Sequence, residues 1–465
     1  MVKSYNQEKL NVFRSQFPFF VYEKFSYSLD SQGLSIQYHF NLADRYHFSP
    51  SLFIPRTSWQ IDDSRLTGIL PVLVFHIGMV ELISYWKTAC PPTVIIKPAG
   101  LLPSQIRWWK KLYFQGLGEF IYLNSLDLTP DSMMQIETLG EQHARFEAGH
   151  VADSVIIPVG GGKDSAVTLN ILEKEMSVMP LVLNTRRAIT AVIEAAGLST
   201  DNSLLISRTI DPLLLELNSK GFLNGHTPFS ALLGFVTLLA ATLTGRKYIA
   251  LSNESSANEA TIPGTGINHQ YSKSLEFEMD FRNYVSNYIT TDIEYFSFLR
   301  PLNELQISFL FSRLPAFHTV FRSCNAGSRT GVWCGECPKC LFTFIILAPF
   351  LGIEGAKAIF GKNLLDELSL SGILRQFTGA ADEKPFDCIG TTDEINLALC
   401  ELIRQEGERM LPLLLQDYKD SEQYKTCQSM SFWDSLKHYM PNCLPAKFED
   451  ILKNALYDQR NQAKT

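Results

Sequence analysis

The chain has 465 residues, of which 46% are hydrophobic and 19% charged, with a formal net charge of −7. That length allows two or three domains with sizeable cores, and the balance excludes a disordered or collagen-like chain. Net acidity gives no general support for nucleic-acid binding, and the first residues lack the apolar run of a secretory signal.

Residues 1–150 read as an α+β region of their own. Residues 25–42 alternate around Asp30-Ser-Gln-Gly33, which predicts a hairpin with Leu34, Ile36, Tyr38 and Phe40 on one face. Residues 71–89 read as an apolar helix, 93–97 as a buried strand, and 103–117 as a helix carrying Trp108 and Trp109. His76 and Glu81 fall in the first of these helices, where structural roles are commoner than ligand roles.

From Ser154 the pattern changes to strand, loop and helix. Strand-like runs at 155–159, 180–184, 204–207 and 248–252 alternate with helical segments, which predicts an α/β fold: a parallel sheet with helices on both faces. Ligands of such sheets bind beyond the carboxyl ends of the strands. Residues 151–352 form this second block, and 353–465 read as a mainly helical C-terminal region. The longest apolar stretches, 231–243 and 341–353, are short for a bilayer and read as buried helices, so no membrane partner is expected.

The most informative stretch is residues 154–165. A β-branched run leads into Gly160, Gly161 and Gly162, then Lys163, Asp164 and Ser165 open a helix. Glycines let the backbone approach a ligand closely, and a helix N-terminus offers unpaired N–H groups, so the loop reads as a cradle for nucleotide phosphates. A glycine turn without a ligand is the plain alternative. It is not a Walker A loop, because Asp164 follows Gly-Lys and Ile157 stands where the first glycine belongs. Asp164 beside phosphates suits Mg²⁺, or else a helix N-cap.

Further polar clusters follow the other strands. Asn184 ends one strand and is a candidate for the nucleoside, or a turn residue; Arg186 and Arg187 come next. His226 precedes Thr227, the expected N-cap of the 231–243 helix with Pro228 in its first position, and is an acid–base candidate. Asn253 and Glu254 are candidates for nucleotide or Mg²⁺. In 268–274, His269 and Lys273 carry groups able to move protons, while Ser272 and Ser274 suit a helix start.

Cys324, Cys334, Cys337 and Cys340 have the spacing C-x9-C-x2-C-x2-C. Four thiolates close a tetrahedral structural Zn²⁺ site; a redox pair or an iron–sulfur cluster are the alternatives. Nine cysteines with four clustered fit a reducing, cytoplasmic setting better than a disulfide scaffold, and Cys90, Cys388, Cys400, Cys427 and Cys443 read as buried or incidental.

The 160–165 string resembles the PP-loop of ATP pyrophosphatases (adenine nucleotide alpha hydrolase-like proteins), with Gly160 where that family usually has Ser. The loop and cysteine cluster together are similar to the 7-cyano-7-deazaguanine synthases. Nearly the whole chain looks more like the UDP-N-acetyl-α-D-muramoyl-L-alanyl-L-glutamate epimerases, the MurL family. That resemblance is carried by Gly160-Gly-Gly-Lys-Asp-Ser165, Gly225-His-Thr-Pro-Phe-Ser-Ala231, Asn253-Glu-Ser-Ser-Ala-Asn258, Asn268-His-Gln-Tyr-Ser-Lys-Ser274, the cysteine cluster and Lys384-Pro-Phe-Asp-Cys-Ile-Gly-Thr391.

The resemblance implies inversion of the terminal L-Glu of a UDP-sugar dipeptide in peptidoglycan precursor synthesis, using ATP and Mg²⁺ and releasing AMP and pyrophosphate. Adenylation of the α-carboxylate would cancel its charge and let the carbanion delocalise. In this scheme the loop holds pyrophosphate and Asp164 with Glu254 positions Mg²⁺. His226, His269 and Lys273 are the acid–base candidates. The alternative keeps the activation but lets ammonia or an amine attack, giving an amide or nitrile.

Overall fold

The alternation in residues 25–42 becomes a hairpin in the computed structural model, which describes residues 2–149, 151–262, 266–381 and 383–462. Its strands are β1 Phe19–Leu29, β2 Gly33–Leu42, β3 Tyr46–Phe48, β4 Ser51–Pro55, β5 Thr93–Ile96, β6 Gln135–Thr138, β7 Ala152–Pro158, β8 Val178–Leu183, β9 Leu204–Thr209, β10 Arg246–Leu251 and β11 Glu294–Ser297. The fold is α/β, with parallel pairing of β1 with β5, β5 with β6 and β7 with β10.

Contact density groups the chain into two interleaved units. One comprises Met1–Ile156, Asn202–Ile249 and Ile267–Tyr295; the other comprises Ile157–Asp201, Ala250–Gly266 and Phe296–Thr465. Interleaving follows from pairing within the first unit: β9 lies antiparallel to β4, with Phe53 opposite Ser207, and so brings residues 202–249 to the N-terminal strands. The parallel order expected after Ser154 therefore stops at this edge of β9.

In the first unit, Leu34, Ile36, Tyr38 and Phe40 are buried on one face of β2, as the alternation requires. Asp30 Oδ1 closes the turn by accepting from the Gln32 and Gly33 amides at 2.7 and 3.1 Å. A Cβ on Gly33 would meet the Ile54 carbonyl oxygen at 2.2 Å, so only glycine lets β4 approach here.

The apolar helix begins earlier than its composition suggests. It runs Asp63–Glu81 with Pro71 inside, capped by Asp62, whose side chain accepts from the Ser64 amide at 3.1 Å. It packs against the Phe229–Thr244 helix. His76 is buried there and fully used: Nδ1–H donates to the Val72 carbonyl at 2.7 Å, and Nε2 meets Tyr284 Oη at 3.1 Å. Tyr284 also accepts from Gln105 and Trp109 at 3.1 and 3.0 Å, which fills a hydroxyl's two acceptor sites. Burial holds the His76 imidazole down at about 4. Glu81 takes a two-pronged ion pair from Arg208 at 2.9 and 2.7 Å. Both residues are structural.

In the second unit, the Val159 amide just past β7 donates to the Leu181 carbonyl in β8 at 2.9 Å, and the Phe298 amide donates to the Leu251 carbonyl at 2.7 Å. The helix Lys163–Leu172 packs on Glu304–Ser312, which in turn packs on Pro338–Phe360; Thr392–Glu406 covers that last helix. Beyond Phe360 the described elements are all helical. Side chains past Tyr457 in the polar tail lie outside the described residues.

Two helical stretches, Asp63–Trp86 and Pro338–Phe360, are long and apolar enough by composition to cross a membrane, the second broken at Gly352 (φ +73°), close to where the 341–353 span read from sequence ends. Their apolar windows are 83% and 67% buried inside the protein, the behaviour of core helices. Cys400 and Cys427, expected to be buried or incidental, are both buried and form a disulfide across 27 residues.

Candidate active site

The second unit carries the glycine loop. Gly161 has φ +82°, and a Cβ there would lie 3.2 Å from Ala188 and Ile189, so both conformation and space demand glycine. Gly160 faces open space. The Arg322 amide donates to the Gly161 carbonyl at 2.8 Å and braces the turn. Gly162 is the N-cap of Lys163–Leu172 and offers no side chain to the first-turn amides, which suits an anion there. Ser165 Oγ donates back to the Gly162 carbonyl at 3.0 Å.

Asp164 is not the N-cap; it sits one turn position inside, about one-third exposed. Lys163 turns inward and pairs with both Asp164 and Glu304. Burial opposes its charge, but these two carboxylates outweigh burial and hold the ammonium above its ordinary value. Glu304 is brought here by the packing of its helix on Lys163–Leu172. Full burial, with Asp164, Glu254 and Glu394 nearby, holds it well above the usual carboxylate range in spite of Lys163.

Oxygen atoms of Asp164, Glu254 and Glu304 come within 4.8 Å of one another. An all-carboxylate oxygen set this close together suits a hard divalent cation such as Mg²⁺. Glu254 is 5% exposed, and its backbone carbonyl accepts from Arg300. Asn253, also buried, donates from Nδ2 to Ser297 Oγ at 3.0 Å. Glu394 accepts from Ser256 Oγ at 2.7 Å and from the Glu304 amide at 2.7 Å, which ties the loop after β10 to the C-terminal helices. Asn184 follows β8 with φ +62°, the left-handed conformation Asn tolerates best among residues with a side chain. Arg186 donates to Ser328 Oγ at 2.8 Å.

The four clustered cysteines converge as their spacing suggests. The Cys334–Cys340 and Cys337–Cys340 sulfur distances are 3.5 and 3.6 Å. A tetrahedron with Zn–S bonds of about 2.3 Å has edges of about 3.8 Å, so the set fits zinc. Hydrogen bonds from Cys337 and then Cys340 hold the Cys324 thiol far below its ordinary value, and the Gly327 amide donates to its sulfur at 3.1 Å. Cys337 is the N-cap of Pro338–Phe360, so the knuckle leads directly into a core helix.

The first unit gathers the acid–base candidates. His226 and His269 come together there around a residue that sequence reading missed, Glu119 in the first turn of the short helix Gly118–Leu123, and the charge of Lys273 acts on His226. His269 Nδ1 hydrogen-bonds Glu119 Oε2, and His226 Nδ1 stands 3.6 Å from the same oxygen. The imidazole rings are 4.4 Å apart, centroid to centroid. Burial, then His269, with Lys87 and Lys273 adding to it, holds His226 down at about 4 against the pull of Glu119.

Several close approaches build this corner. A Cβ on Gly116 would meet Pro228 at 2.7 Å, and one on Gly225 would meet Phe120 at 3.1 Å. Asn124 Nδ2 donates to the Asn224 carbonyl at 3.0 Å, and the Leu223 amide donates to Thr88 at 3.0 Å. Lys87, likewise missed, donates to the Gly225 carbonyl. Burial lowers it to about 8, with Cys90 and Glu119 opposing. Nothing in the local sequence marks Glu119 or Lys87; the closest signal is the Gly116 and Gly118 pair.

One local expectation is corrected, at Thr227, and one is met, at Ser274. Pro228, not Thr227, is the N-cap of Phe229–Thr244, and Thr227 contributes its carbonyl to the Phe229 amide at 2.7 Å. Ser274 caps Leu275–Tyr288, accepting from the Phe277 amide at 3.1 Å, which accounts for it structurally.

Comparison with known proteins adds the following. Residues 12–298 match the family model described as the MurL N-terminal domain, and 320–430 match the MurL C-terminal domain. A relative from Salinispora tropica, named UDP-N-acetyl-alpha-D-muramoyl-L-alanyl-L-glutamate epimerase, is 32% identical over 95% of this chain and 97% of its own length. Proteins of the same name from Xanthomonas oryzae pv. oryzae and a Micromonospora species are each 34% identical, over 75% and 79% of this chain and 78% and 82% of theirs.

Proposed function

The chain belongs to the MurL family of epimerases, and on that premise we propose that it inverts the terminal L-Glu of UDP-N-acetyl-α-D-muramoyl-L-alanyl-L-glutamate to D-Glu by way of an acyl-adenylate. It is an isomerase. The α-proton beside a free carboxylate is hard to remove, because the product carries a second negative charge next to the first. In our scheme a carboxylate oxygen attacks the α-phosphorus of ATP and displaces pyrophosphate. A base then takes the α-proton, a proton returns to the opposite face, and water cleaves the acyl–oxygen bond to leave AMP. One ATP and one water are consumed per inversion.

The observation that carries the proton-transfer half is the meeting of His226 and His269 on Glu119 with Lys273 nearby. A histidine held down at about 4 is neutral at physiological pH and can accept a proton. For the activation half, we assign Gly160, Gly161, Gly162, Lys163 and Ser165, in a PP-loop-like role, to the phosphates. Asn184, Asn253 and Glu254 are assigned to the rest of the nucleotide. Asp164 and Glu254, with Glu304, would hold Mg²⁺, which when bound offsets phosphate charge. Zn²⁺ on the four cysteines would be structural.

Incubation with the UDP-sugar dipeptide, ATP and Mg²⁺ in D₂O tests this reading. D-Glu carrying α-deuterium, with stoichiometric AMP and pyrophosphate, is the expected result. Absence of turnover by folded, zinc-replete protein refutes it, and ammonia-dependent amide formation would install the alternative chemistry.

A further inference from the structure

We propose that Glu119 is a positioning residue that gathers His226 and His269 by their Nδ1 atoms into a single acid–base unit. This rests on the epimerase reading and refines its proton-transfer step. An ionised carboxylate can only accept hydrogen bonds, so each imidazole that turns Nδ1 toward it presents an N–H there. In the neutral ring Nε2 is then the basic atom, directed away from Glu119. Oε2 accepts from His269 Nδ1, His226 Nδ1 stands 3.6 Å from the same oxygen, and the ring centroids are 4.4 Å apart. Contact at that distance leaves no room between the rings for a tetrahedral carbon and its substituents. The two imidazoles therefore work from one side of the substrate carbon, with Glu119 fixing His269 by a hydrogen bond and His226 by its charge at 3.6 Å.

Lys87 at the end of Ile83–Trp86 and Lys273 in the turn Tyr271–Lys273 both disfavour charge on His226, as does His269; Glu119 is the counter-charge among these groups. The carboxylate is held in place by packing: its helix is pressed against Gly225 through Phe120 and tied to Asn224 through Asn124. Glu119 and His269 are 87% and 88% buried by side chain, so the contact is little screened by solvent.

The test begins without substrate, on the full chain labelled with ¹⁵N-histidine. At neutral pH the wild-type resonances of His226 and His269, assigned by their loss in His226→Asn and His269→Asn, are expected to report Nδ1–H tautomers. In Glu119→Gln, whose amide can donate as well as accept, at least one ring is expected to change tautomer. Under turnover Glu119→Gln should lower kcat by about 10²- to 10⁴-fold, leave KM within about twofold, and recover part of the rate in Glu119→Asp. Nε2–H tautomers in the wild type, or Glu119→Gln turning over within about threefold of it, overturn the proposal. The wild-type spectrum alone can do so, even if a variant fails to fold. If the tautomers are as expected but the wild type does not epimerise the dipeptide, the epimerase reading fails and the histidine unit stands.

Discussion

Replacing Lys163 with methionine removes the one ammonium paired with the Asp164 and Glu304 carboxylates. Lys163 and Glu304 side chains are 3% and 5% exposed, so water cannot step in as the missing partner. Breaking a buried pair from one side costs about 3–5 kcal/mol, and Lys163→Met should lose stability in that range. The loss should also depend on pH in a definite direction. Burial, with Asp164, Glu254 and Glu394 nearby, raises Glu304 in the folded state above its unfolded value of about 4.3, and removing Lys163 takes away the one influence lowering it. A raised folded value means the native state holds the proton more tightly. Its contribution is complete below about pH 4.3 and is lost as pH rises toward the folded value. Urea denaturation of Lys163→Met between pH 5 and 8 should therefore show stability falling by up to about 1.4 kcal/mol per pH unit while Glu304 remains protonated. The double variant Lys163→Met/Glu304→Gln, which removes both charges, should recover most of the loss. A loss below about 1 kcal/mol, or a double variant no more stable than the single one, would refute the reasoning.

Three further outcomes are expected. Metal analysis is expected to find stoichiometric zinc in the wild type and to lose it in Cys337→Ser, with a lower melting temperature because the Pro338–Phe360 helix starts on that ligand; equal zinc content in the variant would remove the cysteine-site assignment. His226→Asn should reduce turnover by about 10²- to 10⁴-fold with far-ultraviolet dichroism unchanged. The wild-type rate, which requires neutral His226, should fall only as pH drops toward about 4, and a decline centred near pH 6.5 would contradict the observed surroundings of the ring. Ser274→Ala should cost about 1 kcal/mol in thermal denaturation through the lost cap on Leu275–Tyr288, and no measurable cost would mean that the cap is redundant.

Local features were legible because neighbouring residues decide them. The hairpin follows from alternation and from the Asp30 turn, and Gly161 follows from a backbone that needs positive φ. The cysteine cluster follows from two Cys-x-x-Cys steps that bring neighbouring sulfurs together. Helix ends were less legible. Pro71 resembles a first-turn residue but lies inside its helix, whose cap is Asp62, and Pro228 rather than Thr227 stands at the N-cap of Phe229–Thr244. Cap choice there depends on how residues 224–228 pack against Phe120 and Gly116, which no short window contains.

The sequence alone determined the α/β class, the glycine loop with its neighbouring polar segments, and the family to which the chain belongs. The class and the loop are written in spacing and periodicity, and the family in the resemblance of the quoted motifs. Tertiary structure alone decided which charges meet. Lys163 finds Glu304 at a separation of 141 residues, and His269 finds Glu119 at 150. Arg208 finds Glu81 at 127. Charged groups this far apart in sequence carry no mutual pattern; they pair because helix packing and strand pairing bury them together, and burial makes an unpaired charge costly.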